Sequence, residues 1–345
     1  MGKKGARPEP PRISVCVPTR NRGVRIAPLL ESLRQLDHDS FEVVVVDQST
    51  NDLCRRTCEQ TVGDDPRVFY LPSVSAGSSI ARNLGLARAR GALVAFTDDD
   101  CVAPRDWLTA IERSFSLNPS VAAICGGVRA ADHDPTQGCI PVALQHPERR
   151  RRSPWLAYRE LGIGANLAFR SQTLRELGGF DELLGAGAPL RSAADNDVIY
   201  RILRSGHDIL DLPEPPIIHD GFRAWGEEMR RLWRNYAVGA GAYCGKHLRC
   251  GDPAILPSCL ILWFGRLHPW NIVRLRRPMG VGTFLAFGRG LAMGFRYPVN
   301  RKLRTYMAEP RSRPAYDPPP GASPSAAGRP PANGPTDRAD ASRPG

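Results

Sequence analysis

The first third of the chain alternates between two kinds of segment, and that alternation restricts the fold more than any other feature. ISVCV (13–17), FEVVVV (41–46), RVFYL (67–71) and ALVAF (92–96) are apolar runs rich in β-branched and aromatic residues. Between them, VRIAPLLESLRQL (24–36) and SSIARNLGLARAR (78–90) carry apolar residues at helical spacing, and PRDWLTAIERSFSL (104–117) follows the fourth run. Pro104 is expected at the first helical position, and VAAIC (121–125) reads as a fifth strand. Strands that are apolar throughout need cover on both faces. The pattern therefore predicts an α/β fold with a mainly parallel, Rossmann-like sheet flanked by helices. Ligands bind beyond the C-terminal strand ends of such sheets.

Asp47 and the run Asp98, Asp99, Asp100 stand at those strand ends. Two unit charges about 4 Å apart repel by roughly 4 kcal/mol at an effective dielectric of 20, so three adjacent carboxylates need an offset. A solvated turn or a bound divalent cation would supply one. In an extended segment Asp98 and Asp100 would share a face, with Asp99 opposite. The chain has no GxxxxGK[ST] loop, no GxGxxG after a strand and no GxSxG elbow. Its chemistry must rest on carboxylates, with or without a metal.

Further along, 129–160 reads as an irregular connection containing the basic run Arg149 to Arg152, either a solvated loop or a contact for an anionic acceptor or membrane. SQTLREL forms a short helix stopped by Gly178, and further helices are expected at about 194–205 and 227–248. Lys and Arg number 47 against 35 Asp and Glu, a formal charge of +12, which calls for an anionic partner. Much of the excess lies in 254–308, which holds nine Arg or Lys and no acid. The apolar pieces of that segment, 256–264 and 279–295, fall short of the ~20 residues of a spanning helix. They suit an amphipathic segment on an anionic membrane surface or a basic helical cap. No nucleic-acid module accompanies the charge, so nucleic acid is not expected as a partner. An odd count of nine cysteines without a CxxC pair argues against a disulfide framework or zinc ribbon and for the reducing cytoplasm. The basic N-terminus is not followed by the apolar stretch of a secretory signal. The expected organisation is a flexible arm (1–11), an α/β domain (12–225), a helical basic extension (226–308) and a disordered Pro/Ala/Gly-rich tail (309–345).

Six stretches in order resemble family 2 glycosyltransferases of the GT-A fold: SVCVPTRNR (14–22), VVVVDQS (43–49), AGSSIARNLGLARARG (76–91), AFTDDDCVAP (95–104), GANLAFRSQTLRELGGFDE (164–182) and ADNDVIYRILRSG (194–206). The resemblance implies a nucleoside diphosphate-sugar donor, Mn²⁺ or Mg²⁺ as cofactor, and transfer to an acceptor hydroxyl of a glycan, a lipid-linked group or a small molecule. It implies that Pro18, Thr19, Arg20, Asn21, Asp47, Gln48, Gly77, Arg82, Asn83, Asp98 and Asp99 line the donor pocket. Asp98 and Asp100 would ligate the metal, with His219 as a third ligand, and Asp195 would be the general base of an inverting transfer. Two positions depart from the family: Gln48 and Ala194 stand where acids are common. They leave open a decayed, donor-binding protein, and the stereochemistry leaves open a retaining enzyme. Asp197 is the alternative base. Trp155 and Tyr158 are candidates to stack on a sugar.

Overall fold

A computed structural model describes residues 9–143, 147–156, 162–265 and 280–307. Tyr158, the 309–345 tail and most of the 1–11 arm lie outside these residues.

The apolar runs form strands: β1 (Ile13–Thr19), β2 (Phe41–Asp47), β3 (Val68–Pro72), β4 (Leu93–Phe96) and β6 (Val121–Ala130), with β5 (Cys101–Val102) between the last two. The helices are α1 (Ala27–Arg34), α2 (Leu53–Val62), α3 (Ser78–Arg88) and α4 (Trp107–Leu117). Alternate residues of one strand enter different layers: Val43 and Val45 pack under α1, α2 and α4, while Val44 and Val46 pack under α3. Each of these valines is at most 1% exposed, a burial worth about 1.5–3 kcal/mol per side chain. Pro104 does not open α4. Its carbonyl accepts the Trp107 N–H at 3.1 Å, so it makes the turn that precedes the helix.

The sheet departs from a simple parallel array. Its strand order is β3-β2-β1-β4-β9-β6-β10-β5. β9 (Leu167–Arg170) runs antiparallel between β4 and β6, and leads directly into α5 (Ser171–Glu176). The connection at 129–160 contains β7 (Gly138–Cys139) and β8 (Arg149–Arg151). β8 pairs antiparallel with β10 (Asp208–His219), so the basic run is neither a loop nor a free anion contact. Arg149 and Arg151 bond the wholly buried Asp211 at 2.9 and 2.5 Å, and Arg150 bonds Asp208 at 2.6 Å. Arg152, 68% exposed at the side chain, is the member that stays in solvent.

After α6 (Ala194–Arg204), β10 and β11 (Arg223–Ala224) come α7 (Glu227–Arg249), α8 (Leu256–Phe264) and α9 (Val281–Arg296), then the hairpin β12 (Val299–Asn300) and β13 (Thr305–Tyr306). The apolar core does not stop at residue 225: Ala237, Tyr243, Cys259, Phe287 and Tyr306 belong to the same cluster as β4 and α6. α7 and α9 approach closely through glycines. A side chain at Gly241 would meet the Phe287 carbonyl oxygen at 2.1 Å, and one at Gly290 would meet the Val238 carbonyl.

A buried ionic cluster joins α6 to α7. Asp197 accepts from Arg201 Nε at 2.8 Å, Lys246 Nζ at 2.6 Å and His247 Nε2 at 2.9 Å, and Lys246 also reaches Asp181 at 2.5 Å. Removing one partner of such a cluster strands the others in the core. Asp197→Ala is therefore expected to cost about 3–5 kcal/mol in urea unfolding. Burial, reinforced by the cations of Lys246 and Arg201 and opposed by Asp197, holds His247 down from 6.5 to about 4. As pH falls through that window the unfolded chain takes up a proton that the folded chain refuses, so up to about 3 kcal/mol of stability is lost. His247→Gln is expected to flatten the stability profile between those two values, measured as urea midpoints across pH.

Candidate active site

The C-terminal ends of β1, β2 and β4, the start of α3 and the start of α6 converge on one edge of the sheet. Beyond β4 the chain turns at Asp99–Asp100 instead of continuing extended. The expected one-face pairing of Asp98 with Asp100 is therefore not formed. Asp99 and Asp100 both meet Arg22, at 3.1 and 3.0 Å, while Asp98 meets Arg82 at 3.1 Å. Burial pushes Asp99 up to about 6 against the pull of Arg22. Burial also raises Asp98, with Arg82 opposing and Asp100 and Asp195 adding. For Asp100 burial acts upward too, but the bond to His219 and the charges of His219 and Arg22 outweigh it and hold the carboxyl low.

His219 reaches this cluster because of sheet register. The end of β10 pairs antiparallel with β5, His219 opposite Cys101, and the Asp220 N–H donates to the Asp100 carbonyl at 2.8 Å. His219 Nε2 then lies 3.2 Å from Asp100 Oδ1, and Nδ1 lies 3.1 Å from the Pro141 carbonyl. Burial lowers His219, but its bond to Asp100 and the Asp100 charge outweigh it and raise the imidazole, so Nε2–H donates to Asp100 while Nδ1–H donates to Pro141; with Nδ1–H kept on Pro141, loss of the other proton would free Nε2 for a cation. Asp100, Cys101 and His219 bring ligand atoms within 4.8 Å of one another. Burial pushes the Cys101 thiol well up, so it stays protonated and is a poor ligand. The remaining carboxylate oxygens and imidazole nitrogen form a donor set that fits a divalent cation such as Mn²⁺. The raised Asp98 and Asp99 carry the electrostatic debt that a cation would relieve.

Arg82 is the second centre. It is 6% exposed at the side chain and projects from α3 between two carboxylates, Asp98 and Asp195, at 3.1 and 3.0 Å. Asp195 Oδ2 also accepts the Gly164 N–H at 3.0 Å. A side chain at Gly164 would stand 2.1 Å from the Arg82 guanidinium, so this approach requires glycine. Asp195 sits in the first turn of α6, just after Ala193, whose φ of +69° is a left-handed conformation costing of order 1–3 kcal/mol. Two residues on, Asp197 points into the core, wholly buried, and is unable to meet an acceptor. Ala194 is buried against the glycine loop at Gly185, leaving no acid beside Asp195.

The other predicted residues divide. The Gln48 side-chain oxygen accepts the Gly77 N–H at 3.1 Å, and its buried amide nitrogen has no partner among the described residues. The Thr19 hydroxyl, equally buried, lies close enough to Asp99 and Cys54 to influence both but makes no well-formed hydrogen bond among the described residues. Both belong to the strand ends beneath the α3 N-terminus, and half-buried Pro18 precedes Thr19 in β1. Arg20 is exposed beside the Gly187 turn. Asn21, at φ +56°, ties the β1 end to Thr50 and Ser49. Asp47 is already engaged: Oδ1 caps the Ser49 N–H at 2.8 Å and Oδ2 accepts the Tyr70 hydroxyl. Asn83 does not open toward the pocket. Its amide exchanges bonds with the Phe180 backbone at 2.9 and 2.8 Å, fastening α3 to the glycine loop. Trp155 is 49% exposed and makes no contact with these groups among the described residues.

Sequence reasoning missed Arg22, Tyr70, Gly164 and Tyr236. The first three lie in or beside quoted stretches, but their partners are remote in sequence. Tyr236 lies on α7, 38% exposed, with its phenol raised by partial desolvation, Arg223 opposing and Asp195 and Asp98 adding.

Residues 14–166 match the family model described as Glycosyl transferase family 2. A pre-mycofactocin glycosyltransferase of Mycobacterium tuberculosis is 29% identical over 231 residues, 62% of this chain and 45% of that protein. The chain thus spans about half the length of that curated relative. A glucosyl-dolichyl phosphate glucuronosyltransferase of Haloferax volcanii is 24% identical, over 65% of this chain and 75% of the relative. Among solved structures, a mannosyltransferase of Pyrobaculum calidifontis in complex with GDP-Man and Mn²⁺ superposes with a TM-score of 0.56 at 20% identity, over 84% of this chain and 76% of the other. TarS of S. aureus in complex with UDP-GlcNAc gives 0.54 at 19%, over 81% of each chain. The fold is that of GT-A glycosyltransferases.

The tight approach at Gly164 gives a direct test of the Arg82–Asp195 contact. Gly164→Ala is expected to cost about 1–3 kcal/mol in urea unfolding, because a buried guanidinium has to give way.

Proposed function

We propose, for a chain that carries a family 2 glycosyltransferase domain over residues 14–166, a metal-dependent inverting transfer of a sugar from a nucleoside diphosphate-sugar to an acceptor hydroxyl. The observation that carries the reading is the Arg82 bridge, which holds a candidate base, Asp195, beside the acidic strand end at Asp98. In this reading residues 12–225 bind the donor and supply the base, and 226–307 close the acceptor side through Tyr236.

The nucleoside enters over the ends of β1 and β2. There the Thr19 hydroxyl and Gln48 amide offer a donor or acceptor to the base or ribose. Asp98, Asp100 and His219 would hold the divalent cation, which when bound supplies positive charge to the diphosphate leaving group. Arg82 faces the same group with a fixed, delocalised cation. Asp195, oriented by Arg82 and the Gly164 N–H, accepts the acceptor hydroxyl proton as the oxygen attacks the anomeric carbon. The new C–O bond forms on the face opposite the breaking bond to phosphate, and the nucleoside diphosphate departs with the electron pair. The products are the inverted glycoside and a nucleoside diphosphate.

The acceptor in this reading is a cell-envelope or lipid-linked glycan reached from the cytoplasmic side. All nine cysteines are free thiols, which supports a reducing compartment. No helix among the described residues is long and apolar enough to cross a membrane.

Calorimetry against UDP, GDP and TDP, with and without Mn²⁺, tests the donor half. One nucleotide is expected to bind in a metal-dependent way, and Asp100→Ala to abolish the metal dependence. In a transfer assay Asp195→Asn is expected to lose about 10²–10⁴-fold in turnover while keeping nucleotide affinity. The product anomer, read by proton NMR, reports inversion. Folded protein that binds none of the three nucleotides would overturn the reading.

A further inference from the structure

The C-terminal helices expose an apolar surface that the proposed transfer does not use. On α8, Leu256, Leu260, Ile261 and Phe264 are between 46% and 56% exposed, and their spacing puts them along one side of the helix. On α9, Val281 and Leu285 are 64% and 63% exposed. The two helices meet at these ends. Trp263 stacks on Phe284 and Phe287 with ring centroids 5.4 and 5.3 Å apart, and Phe264 lies 6.0 Å from Phe284. The six side chains thus form one patch over a stacked aromatic base.

The surroundings of the patch are cationic. The first half of α7 exposes Arg230, Arg231 and Arg234, and Arg234 Nε lies 4.0 Å from where a side chain at Gly282 would begin. Two acids stand in the same first turn, Glu227, shared between Arg230 and Arg234 at 3.0 and 3.7 Å, and Glu228, 3.9 Å from Arg223. The outer side of α9 continues from Val281 and Leu285 to exposed Arg289 and Arg296. From 254 to 308 the sequence holds no acid at all. Apolar side chains ringed by arginines complement a lipid surface with anionic headgroups: the chains enter the headgroup boundary and the guanidiniums meet phosphates.

We infer that α8, the N-terminal end of α9 and the arginines of α7 form a docking face for an anionic membrane surface. The face rests on the helix itself and not on the identity of the sugar. Its position adds a consequence for the proposed site: α7 carries the docking arginines and, through Lys246 and His247, the buried bonds to Asp197 that hold α6, so the docking face and the helix bearing Asp195 belong to one packed unit.

The test is sedimentation of the full chain with vesicles of phosphatidylcholine alone or mixed with phosphatidylglycerol. Recovery is expected with the anionic vesicles and not with the neutral ones, falling as salt rises from about 0.05 to 0.5 M. Leu260→Glu with Leu285→Glu is expected to lower vesicle partitioning at least about tenfold. Replacing Arg230, Arg231 and Arg234 with Ser is expected to remove the preference for anionic vesicles. Calorimetric nucleotide binding is measured on the same samples, so failure of docking is separable from failure of the donor site. Unchanged partitioning of the Glu variant overturns the inference. So does a dimer in light scattering that the Glu variant dissolves, which assigns the patch to a second copy. A lowered melting temperature of that variant without vesicles does the same, because it assigns the patch to the chain's own interior.

Discussion

One guanidinium ties the site together. Arg82 comes from α3, Asp98 from the end of β4 and Asp195 from the start of α6, and their common contact joins the polar ends of three elements that share one apolar core. The guanidinium is the buried partner, 6% exposed at the side chain against 35% for Asp98 and 26% for Asp195, so Arg82 depends on the two carboxylates for its charge balance. Burial raises the Arg82 environment's cost for a cation, yet Asp195 and Asp98 more than offset it and raise its affinity for its proton. A diphosphate arriving beside Arg82 would compete with Asp98 and Asp195 for the same five N–H donors. In the proposed reading, donor binding and the setting of Asp195 would therefore be coupled through a single side chain.

Behind that contact lies a second, wholly buried one. Asp195 and Asp197 are two residues apart on α6, about 200° around the helix, so one faces the cleft while the other faces the core. Asp197 locks α6 to α7 through Lys246 and His247, and Arg201 extends the lock to the carbonyls of Leu177 and Gly179. Asp181 continues it, accepting from Lys246 and from the Tyr306 N–H. The glycine loop, the base-bearing helix and the last hairpin are held by one charge cluster. Such a cluster is a costly way to gain stability, but it fixes α6 in rotation, and the rotation decides which aspartate meets the cleft.

The fold was legible where burial is two-sided. FEVVVV has no polar face to confuse it with a helix, and β2 forms where its residues are expected. β9 was not legible, because LAFR is four residues long and runs straight into the helix SQTLRE. The arginine run of β8 read as solvent-facing because its partners, Asp208 and Asp211, lie about sixty residues downstream. The same reason hid Arg22, whose carboxylates are separated from it by 78 residues in the case of Asp100. The acidic run and Asp195 were legible as motifs. Their relation was not, because the sequence gives neither the turn at Asp99–Asp100 nor the phase of α6. Asn83 shows the converse: it lies inside a quoted motif, yet its amide serves the backbone of Phe180.

The charge distribution follows a division that the net value of +12 conceals. In the cleft Arg22 is matched by Asp99 and Asp100, and Arg82 by Asp98 and Asp195. Along β8 the matches are Asp208 and Asp211. On the helices after residue 226, Arg231, Arg289 and Arg296 are exposed and have no ion pair among the described residues. These helices are not an appendage, because glycine contacts between α7 and α9 and the aromatic stack at Trp263 join them to the core that carries Asp195. A surface with unmatched positive charge attracts anions at long range, whereas a cleft with matched charge recognises them only at contact. The first property brings an anionic surface or substrate to the right side of the molecule. In the proposed reading the second leaves selection to strand-end groups with unused hydrogen-bonding capacity, foremost the Gln48 amide nitrogen, which has no partner among the described residues.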